Sequence, residues 1–149
     1  MIRRLLPHEV SSITSLGKAM VEEIGGIPGG FNAGVFESNW RALLSSGQGI
    51  MIVSEEMGIF NGCVGGLITM DLNNGLPTFH EQFFFVKEGG AGLKLMVRLD
   101  KELKQIGIKI AYFASLESVP DKRDKIETMY KRFGYAPYNH TLRKTFDLE

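Results

Sequence analysis

The chain has 149 residues, a single cysteine (Cys63), and 17 acidic and 17 basic side chains. One cysteine excludes an intrachain disulfide and a metal site built from several cysteines. A formal net charge of zero gives no global attraction to nucleic acid or to an anionic membrane. No apolar run has the length of a membrane span, and the N-terminus lacks the apolar stretch of a signal peptide. We therefore expect one cytoplasmic domain over residues 1–149, with no metal, no nucleic acid and no membrane as partner.

The first third of the sequence predicts a strand followed by two helices. Residues 2–6 favour the strand, and Pro7 opens a helix whose apolar residues recur every three or four positions. Four glycines and a proline within residues 25–30 end that helix. Asn32 is a typical N-cap residue and predicts a second helix that ends near Ser45.

Strand patterns then follow one another closely, which favours an antiparallel meander. They cover residues 50–53, 60–70 and 78–86, with turn signals between them. The middle strand carries several glycines, which are typical of a bulge or of close backbone packing; these are Gly62, Gly65 and Gly66.

The last third of the sequence predicts a parallel crossover. Its elements are a helix over 92–105, a strand over 108–114, a helix over 121–133 and a last strand over 135–146. A strand, a helix and a further strand indicate a right-handed βαβ unit. We therefore predict an α/β fold with a mixed sheet, in which an antiparallel meander is followed by a βαβ crossover.

A glycine-rich turn between a strand and a helix is suited to bind phosphate. The first N–H groups of a helix have no partner within the helix, and its dipole places partial positive charge there. Gly89, Gly90 and Gly92 would let a ligand approach the backbone without a Cβ in the way. The same residues also fit a connecting loop that binds nothing.

Two nucleotide-binding motifs fit this turn less well. A P-loop needs Lys followed by Ser or Thr after the last glycine, whereas Leu93 and Lys94 follow here. A dinucleotide-binding loop is a closer rival, because Gly90, Gly92 and the later Glu117 copy its order. Position 95, where its third glycine belongs, is leucine, and the chain has too few βα units for a doubly wound sheet.

Two segments carry a resemblance to a known family. Lys87-Glu88-Gly89-Gly90-Ala91-Gly92 resembles the Gln/Arg-x-x-Gly-x-Gly/Ala pyrophosphate loop of the GNAT superfamily of N-acetyltransferases. Met129-Tyr130-Lys131-Arg132-Phe133-Gly134-Tyr135 is similar to the closing helix of that family, Leu-Tyr-x-x-x-Gly-Phe. The predicted order of strands and helices also matches that of this family's acyl-CoA N-acyltransferase fold over nearly the whole chain. Lys87 stands where Gln or Arg is usual, and lysine meets phosphate as a point charge without the fork of arginine.

The resemblance implies transfer of an acetyl group from acetyl-CoA to a primary amine of a small molecule or a peptide. It implies that Tyr130 protonates the coenzyme A thiolate and that a base lies on the strand 78–86, where Glu81 is the best match. A main-chain N–H near Phe85 or Val86 would polarise the thioester carbonyl. The residues that it implies around coenzyme A are Phe85, Val86, Lys87, Gly89, Gly90, Ala91, Gly92 and Leu93.

The residue types fit this chemistry, although each has a second interpretation. A carboxylate inside the apolar run 78–86 would be partly desolvated, which would raise its pKa towards that of a useful base; Glu81 could equally point to solvent. His80 is the second candidate base, on the opposite face of the strand by alternation. Tyr130 also lies on the apolar face of its predicted helix and could simply pack there.

Other features leave the function open. Phe31, Phe36 and Trp40 could wall the acceptor pocket, and core packing explains them equally well. Lys122, Arg123 and Lys125 could meet the other phosphate of the coenzyme or form a solvated helix start. A GNAT-fold coenzyme A-binding or structural protein without catalysis is the alternative function, and a module that binds protein or nucleic acid is a third. Similar proteins are often dimers, which leaves a homodimer open.

Overall fold

The computed structural model describes residues 1–87, 91–114, 120–139 and 141–147, without the side chains of residues 120–123 and 126. In this part of the chain the strands are β1 (Ile2–Arg4), β2 (Gly49–Glu56), β3 (Ile59–Met70), β4 (Pro77–Val86) and β5 (Ile110–Tyr112). A 3-10 helix covers Pro7–Ile13, and the α-helices are α1 (Thr14–Glu23), α2 (Ala33–Ser46), α3 (Gly92–Gln105) and α4 (Pro120–Arg132). None of the described helices is long and apolar enough to cross a membrane.

The five strands form one mixed sheet in the order β1-β2-β3-β4-β5. The first four are antiparallel neighbours, whereas β5 runs parallel to β4 after the crossover through α3. This confirms the predicted fold class, an antiparallel meander followed by a βαβ crossover.

One face of the sheet is covered by the 3-10 helix, α1 and α2. Asn32 caps α2 as predicted, since its Oδ1 accepts a hydrogen bond of 3.0 Å from the Val35 N–H. The buried residues on this face are Leu5, Val10, Ile13, Leu16, Trp40, Met51, Val53, Cys63 and Phe83. We refer to it as the α1/α2 face.

The opposite face is covered by α3 and α4, and we refer to it as the Tyr130 face. Its buried residues are Ile50, Ile52, Val64, Phe79, Leu95, Met96, Leu99, Leu103 and Tyr130. The apolar stripe of α3 supplies four of them, because leucine and methionine recur there every three or four residues. The two faces meet different helices, so the direction of each β4 side chain decides which of them it contacts.

The predicted last strand over 135–146 is wrong for the described residues, since 135–139 and 141–147 have no regular structure. Pro137 has no N–H to donate to a strand partner. The Tyr138 ring lies 5.2 Å from that of Tyr112 and holds the chain beside the end of β5. Beyond it Leu142 is 84% exposed and Phe146 is 74% exposed, so neither side chain gains the burial that would favour pairing.

Candidate functional site

The two parallel strands, β4 and β5, separate halfway along β4. They pair at Thr78–Ile110, Phe79–Ala111 and His80–Tyr112, and residues 81–86 of β4 have no partner in β5. Backbone groups on that edge of β4 therefore face a cleft rather than a neighbouring strand. The cleft lies at the end of β4 from which the chain continues to α3.

Glu81 is the first residue of β4 beyond the last pair with β5. Its side chain is half-buried, and its carboxylate accepts a hydrogen bond from the backbone N–H of Ala114, just past the end of β5. Burial raises the pKa of Glu81 to about 7, although the Ala114 hydrogen bond acts in the opposite direction. The desolvation expected from the sequence is therefore present, and the carboxyl group can gain or lose a proton near neutral pH.

Tyr130 lies on α4 with only 7% of its surface exposed. Its ring centroid is 5.0 Å from that of Phe113 and 5.8 Å from that of Tyr135. Burial raises the pKa of the Tyr130 hydroxyl, and the negative charge of Glu81 raises it further. The structure thus brings together the two residues that the sequence nominated from segments almost fifty positions apart.

His80 is directed away from this pair, as strand alternation predicts. Its ring stacks on Tyr112 at a centroid distance of 5.1 Å and an interplanar angle of 20°. Ala111 and Phe113, the neighbours of Tyr112, both pack on the Tyr130 face, so Tyr112 and His80 lie on the other side of the sheet. His80 is therefore not placed to act beside Tyr130.

The predicted pyrophosphate segment is described only in part, because Gly89 and Gly90 lie outside the described residues. Lys87 is exposed at the end of β4. Ala91 is the N-cap residue of α3 and has no side-chain group to cap it, and Gly92 is the first helical residue. Leu93 is 51% exposed. No side chain therefore caps the start of α3 within the described residues, which leaves its first N–H groups available to an anion.

The sequence left two main-chain N–H groups, those of Phe85 and Val86, as candidate donors to the thioester carbonyl, and the hydrogen bonds of β4 distinguish between them. The Lys87 N–H donates to the Asn61 carbonyl in β3 at 2.9 Å. Successive residues of a strand direct their N–H groups to opposite edges, so the Val86 N–H is directed towards the cleft and the Phe85 N–H towards β3. Of Phe85 and Val86, Val86 is therefore the one whose N–H can donate to a ligand between β4 and β5.

The remaining candidates are spread over two surfaces. Trp40 is buried in the core, and Phe36 links it to Phe83 through ring contacts of 6.4 and 5.9 Å. Phe31 lines a surface cavity of about 560 Å³ beside the loop 25–30. Lys125 is exposed on α4, whereas the side chains of Lys122 and Arg123 lie outside the described part. Core packing accounts for Trp40, whereas Phe31 borders an open cavity.

No protein-family model matches the sequence, and no curated protein matches it either. Solved structures do match. A predicted acetyltransferase from Clostridium acetobutylicum, solved with acetyl-CoA, superposes with a TM-score of 0.77 at 13% identity, over 97% of this chain and 95% of the other. The chain has the GNAT fold.

Two further structures with the GNAT fold match at similar length. An aminoglycoside acetyltransferase from an uncultured soil metagenomic sample has a TM-score of 0.74 at 15% identity, over 100% of this chain and 98% of the other. Glucosamine-6-phosphate N-acetyltransferase from Arabidopsis thaliana has a TM-score of 0.68 at 20% identity, over 99% and 98%. These acetyltransferases are named for different acceptors, so the GNAT fold by itself does not specify an acceptor.

Sequence patterns did not reveal two contributions to the site. The Ala114 N–H is a backbone donor, and no residue type signals its presence. The sequence indicates a bulge or close packing at Gly66, but only the pairing of β3 with β4 places Gly66 opposite Glu81.

Proposed function

We propose that this protein transfers an acetyl group from acetyl-CoA to a primary amine of a small molecule or a peptide. The observation that carries the proposal is the position of Glu81, a carboxyl group with a pKa of about 7 beside Tyr130 at the divergence of β4 and β5. A base of this pKa is poised to accept a proton near neutral pH. The GNAT fold of acetyltransferases supports the assignment.

Glu81 acts first, on the acceptor. An amine attacks only when it is neutral, and the ionised carboxylate removes the proton of the ammonium group directly or through one water. The nitrogen then forms a C–N bond with the thioester carbonyl, whose oxygen becomes negatively charged. The Val86 N–H, directed into the cleft, donates a hydrogen bond to that oxygen.

Tyr130 acts last, on the leaving group. The carbonyl re-forms as the C–S bond breaks, and the thiolate takes a proton from the Tyr130 hydroxyl, which its raised pKa keeps protonated until then. The nitrogen loses its second proton in the same stage, and that proton restores the Tyr130 hydroxyl through water. Once Glu81 has accepted a proton its charge is gone, and with it one of the influences that raise the pKa of Tyr130. Proton uptake at Glu81 thus makes Tyr130 a stronger acid at the stage where the thiolate departs.

The coenzyme phosphates bind at residues 87–93 and the start of α3. Lys87 supplies a positive charge at the end of β4, and the first turn of α3, whose N-cap residue Ala91 makes no side-chain cap hydrogen bond, supplies backbone N–H groups. Glycine at position 92 is not required by space, since a Cβ there would lie 3.6 Å from Val86 Cγ2. Its value to the site would be close approach of a ligand to the backbone.

Calorimetric titration of the pure protein with acetyl-CoA tests the proposal. We expect binding, followed by release of the thiol when an amine panel is added that includes an aminoglycoside, an amino sugar phosphate and a peptide N-terminus. No binding at millimolar coenzyme would contradict the proposal. Tight binding without thioester cleavage across the panel would instead favour a coenzyme A-binding protein without catalysis.

A further inference from the structure

The pairing of β3 with β4 contains a one-residue bulge next to Glu81. Phe83 lies opposite Gly65 and Glu81 lies opposite Gly66, so Gln82 has no partner in β3. All other pairs on either side of this point follow in regular order. The extra residue in β4 is therefore Gln82.

This bulge reverses which side chains of β4 share a face. Phe79 and Phe84 both pack on the Tyr130 face, although they are five positions apart. In a regular strand an odd separation places two side chains on opposite faces. The extra residue in the bulge allows Phe79, before it, and Phe84, after it, to pack on the same face of the sheet.

Without the bulge, regular pairing continued from Phe83 would set Gln82 opposite Gly66 and Glu81 opposite Leu67. A slip of one residue turns every side chain in the slipped part to the other face. Glu81 would then lie on the α1/α2 face, whereas Gln82, in the position opposite Gly66, and His80 would lie on the Tyr130 face. The bulge thus decides which of the two candidate bases lies on the Tyr130 face.

Gly66 is what leaves room for the bulge. A Cβ built on this buried residue would overlap the His80 carbonyl oxygen, and would lie 2.7 Å from Phe79 Cζ and 2.8 Å from the His80 carbonyl carbon. The obstacle is backbone, which cannot rotate away as the end of a side chain can. Any residue other than glycine at position 66 therefore requires β4 to move.

We propose that Gly66 is a positioning residue, which admits the bulge at Gln82 and thereby holds Glu81, rather than His80, on the face that carries Tyr130. The catalytic meaning of this role rests on the proposed function. The geometric role does not, because it concerns only which side chain of β4 faces α4.

The test compares Gly66→Ala with the same substitution combined with deletion of Gln82. Deletion removes the bulge while leaving Glu81 and Phe84 on one face, so the close approach to Gly66 is no longer needed. The readout is the pKa of Glu81, measured by carbon-13 NMR titration of its carboxyl group and assigned with Glu81→Gln. Unlike turnover, this readout requires neither acetyl-CoA nor an acceptor.

In Gly66→Ala we expect the pKa of Glu81 to fall from about 7 towards its ordinary value of 4.5, because the carboxyl group leaves its buried position. Deletion of Gln82 in that variant should restore both the raised pKa and the lost thermal stability. An unchanged pKa in folded Gly66→Ala would overturn the proposal. If Gly66→Ala does not fold, the double variant decides: folding with the raised pKa supports the proposal, and any other result overturns it.

Gly65→Ala is the matched control. A Cβ at Gly65 would lie 2.9 Å from the Ile50 carbonyl oxygen, on the side of β2 rather than β4. It should cost stability without lowering the pKa of Glu81, and deletion of Gln82 should not rescue it. Should the pKa changes follow this pattern while the native protein shows no acetyl transfer, the positioning role would stand and the proposed function would fail.

Discussion

The Glu81 carboxylate raises the pKa of Tyr130, and burial raises the pKa of both groups. The two side chains come from β4 and α4, and they interact electrostatically because the sheet and α4 pack together on one face. Because the two groups are coupled, the protonation state of one shifts the pKa of the other. The predictions below separate these two groups from each other and from the scaffold around them.

The first prediction concerns the pH dependence of acetyl transfer. Glu81 must be ionised to accept a proton, so kcat/KM should rise with pH and level off above a pKa near 7. Glu81→Gln should lower kcat by roughly 10²–10⁴-fold and remove this limb of the profile. The measurement is a pH–rate profile for both proteins with one acceptor. A profile that keeps its limb in Glu81→Gln would assign the base to another group.

The second prediction concerns the stability cost of the same residue. An acid whose pKa is higher in the folded state stabilises that state below its unfolded pKa, and this contribution is lost as the pH rises through the folded pKa. For Glu81 that window runs from 4.5 to about 7. At pH 8 the free energy of unfolding of Glu81→Gln should therefore exceed that of the native protein by an amount on the order of 1–3 kcal/mol, measured by urea unfolding. Equal stability at pH 8 would mean that Glu81 is well solvated.

The third prediction separates catalysis from packing at Tyr130. Tyr130→Phe keeps the ring contacts with Phe113 and Tyr135 and removes only the hydroxyl group. We expect kcat to fall about 10-fold or more, while the calorimetric Kd for acetyl-CoA stays within about twofold. Equal losses in turnover and affinity would identify Tyr130 as a packing residue.

The fourth prediction concerns the positive charge at the end of β4. Lys87→Ala should weaken acetyl-CoA binding several-fold, and the difference should shrink at high salt because Lys87 is exposed. Lys101→Ala is the matched control, since Lys101 is an exposed lysine further along α3. If both variants bind acetyl-CoA equally, Lys87 makes no specific contact with phosphate.

The fifth prediction concerns the attachment of α3 to the first strand. Glu102 Oε2 lies 2.6 Å from Arg4 Nη2, and Glu102 Oε1 lies 2.8 Å from Arg98 Nε. Glu102→Gln should lower the free energy of unfolding at pH 7 by about 1–3 kcal/mol, because a buried acceptor loses two charge-assisted bonds. Asp100→Asn, which breaks the exposed pair with Lys104, should cost less than about 1 kcal/mol.

The cost of Glu102→Gln should also depend on pH. Burial alone would raise the pKa of Glu102, but its hydrogen bonds with Arg4 and Arg98 lower it below 4.5 overall. A carboxylate with a lowered pKa stabilises the folded state above its unfolded pKa and loses this effect as the pH falls through its folded pKa. The stability difference between the two proteins should therefore be constant above pH 5 and shrink in more acidic solution. A difference that persists in acid would have another origin.

Much of the fold followed from local patterns. The cap at Asn32 and the periodic leucines of α3 predicted their helices, because capping and amphipathic spacing depend on neighbours in sequence. The order of strands and helices predicted the mixed sheet, because closely spaced strands favour antiparallel pairing and a crossover helix joins parallel strands. The prediction of a last strand over residues 135–146 was wrong, because strand formation depends on pairing with a neighbouring strand and local sequence patterns do not report that pairing.

The sequence by itself determined most of the helices and strands, and it nominated Glu81 and Tyr130 as candidate site residues. Only the tertiary structure decided that these two side chains meet. Strand alternation counted back from Phe83 would have placed His80 on the Tyr130 face, and the unpaired Gln82 reverses that outcome. A bulge depends on contact between two strands, here on the space that Gly66 in β3 leaves for the β4 backbone. The pattern of residues within β4 alone therefore does not predict it.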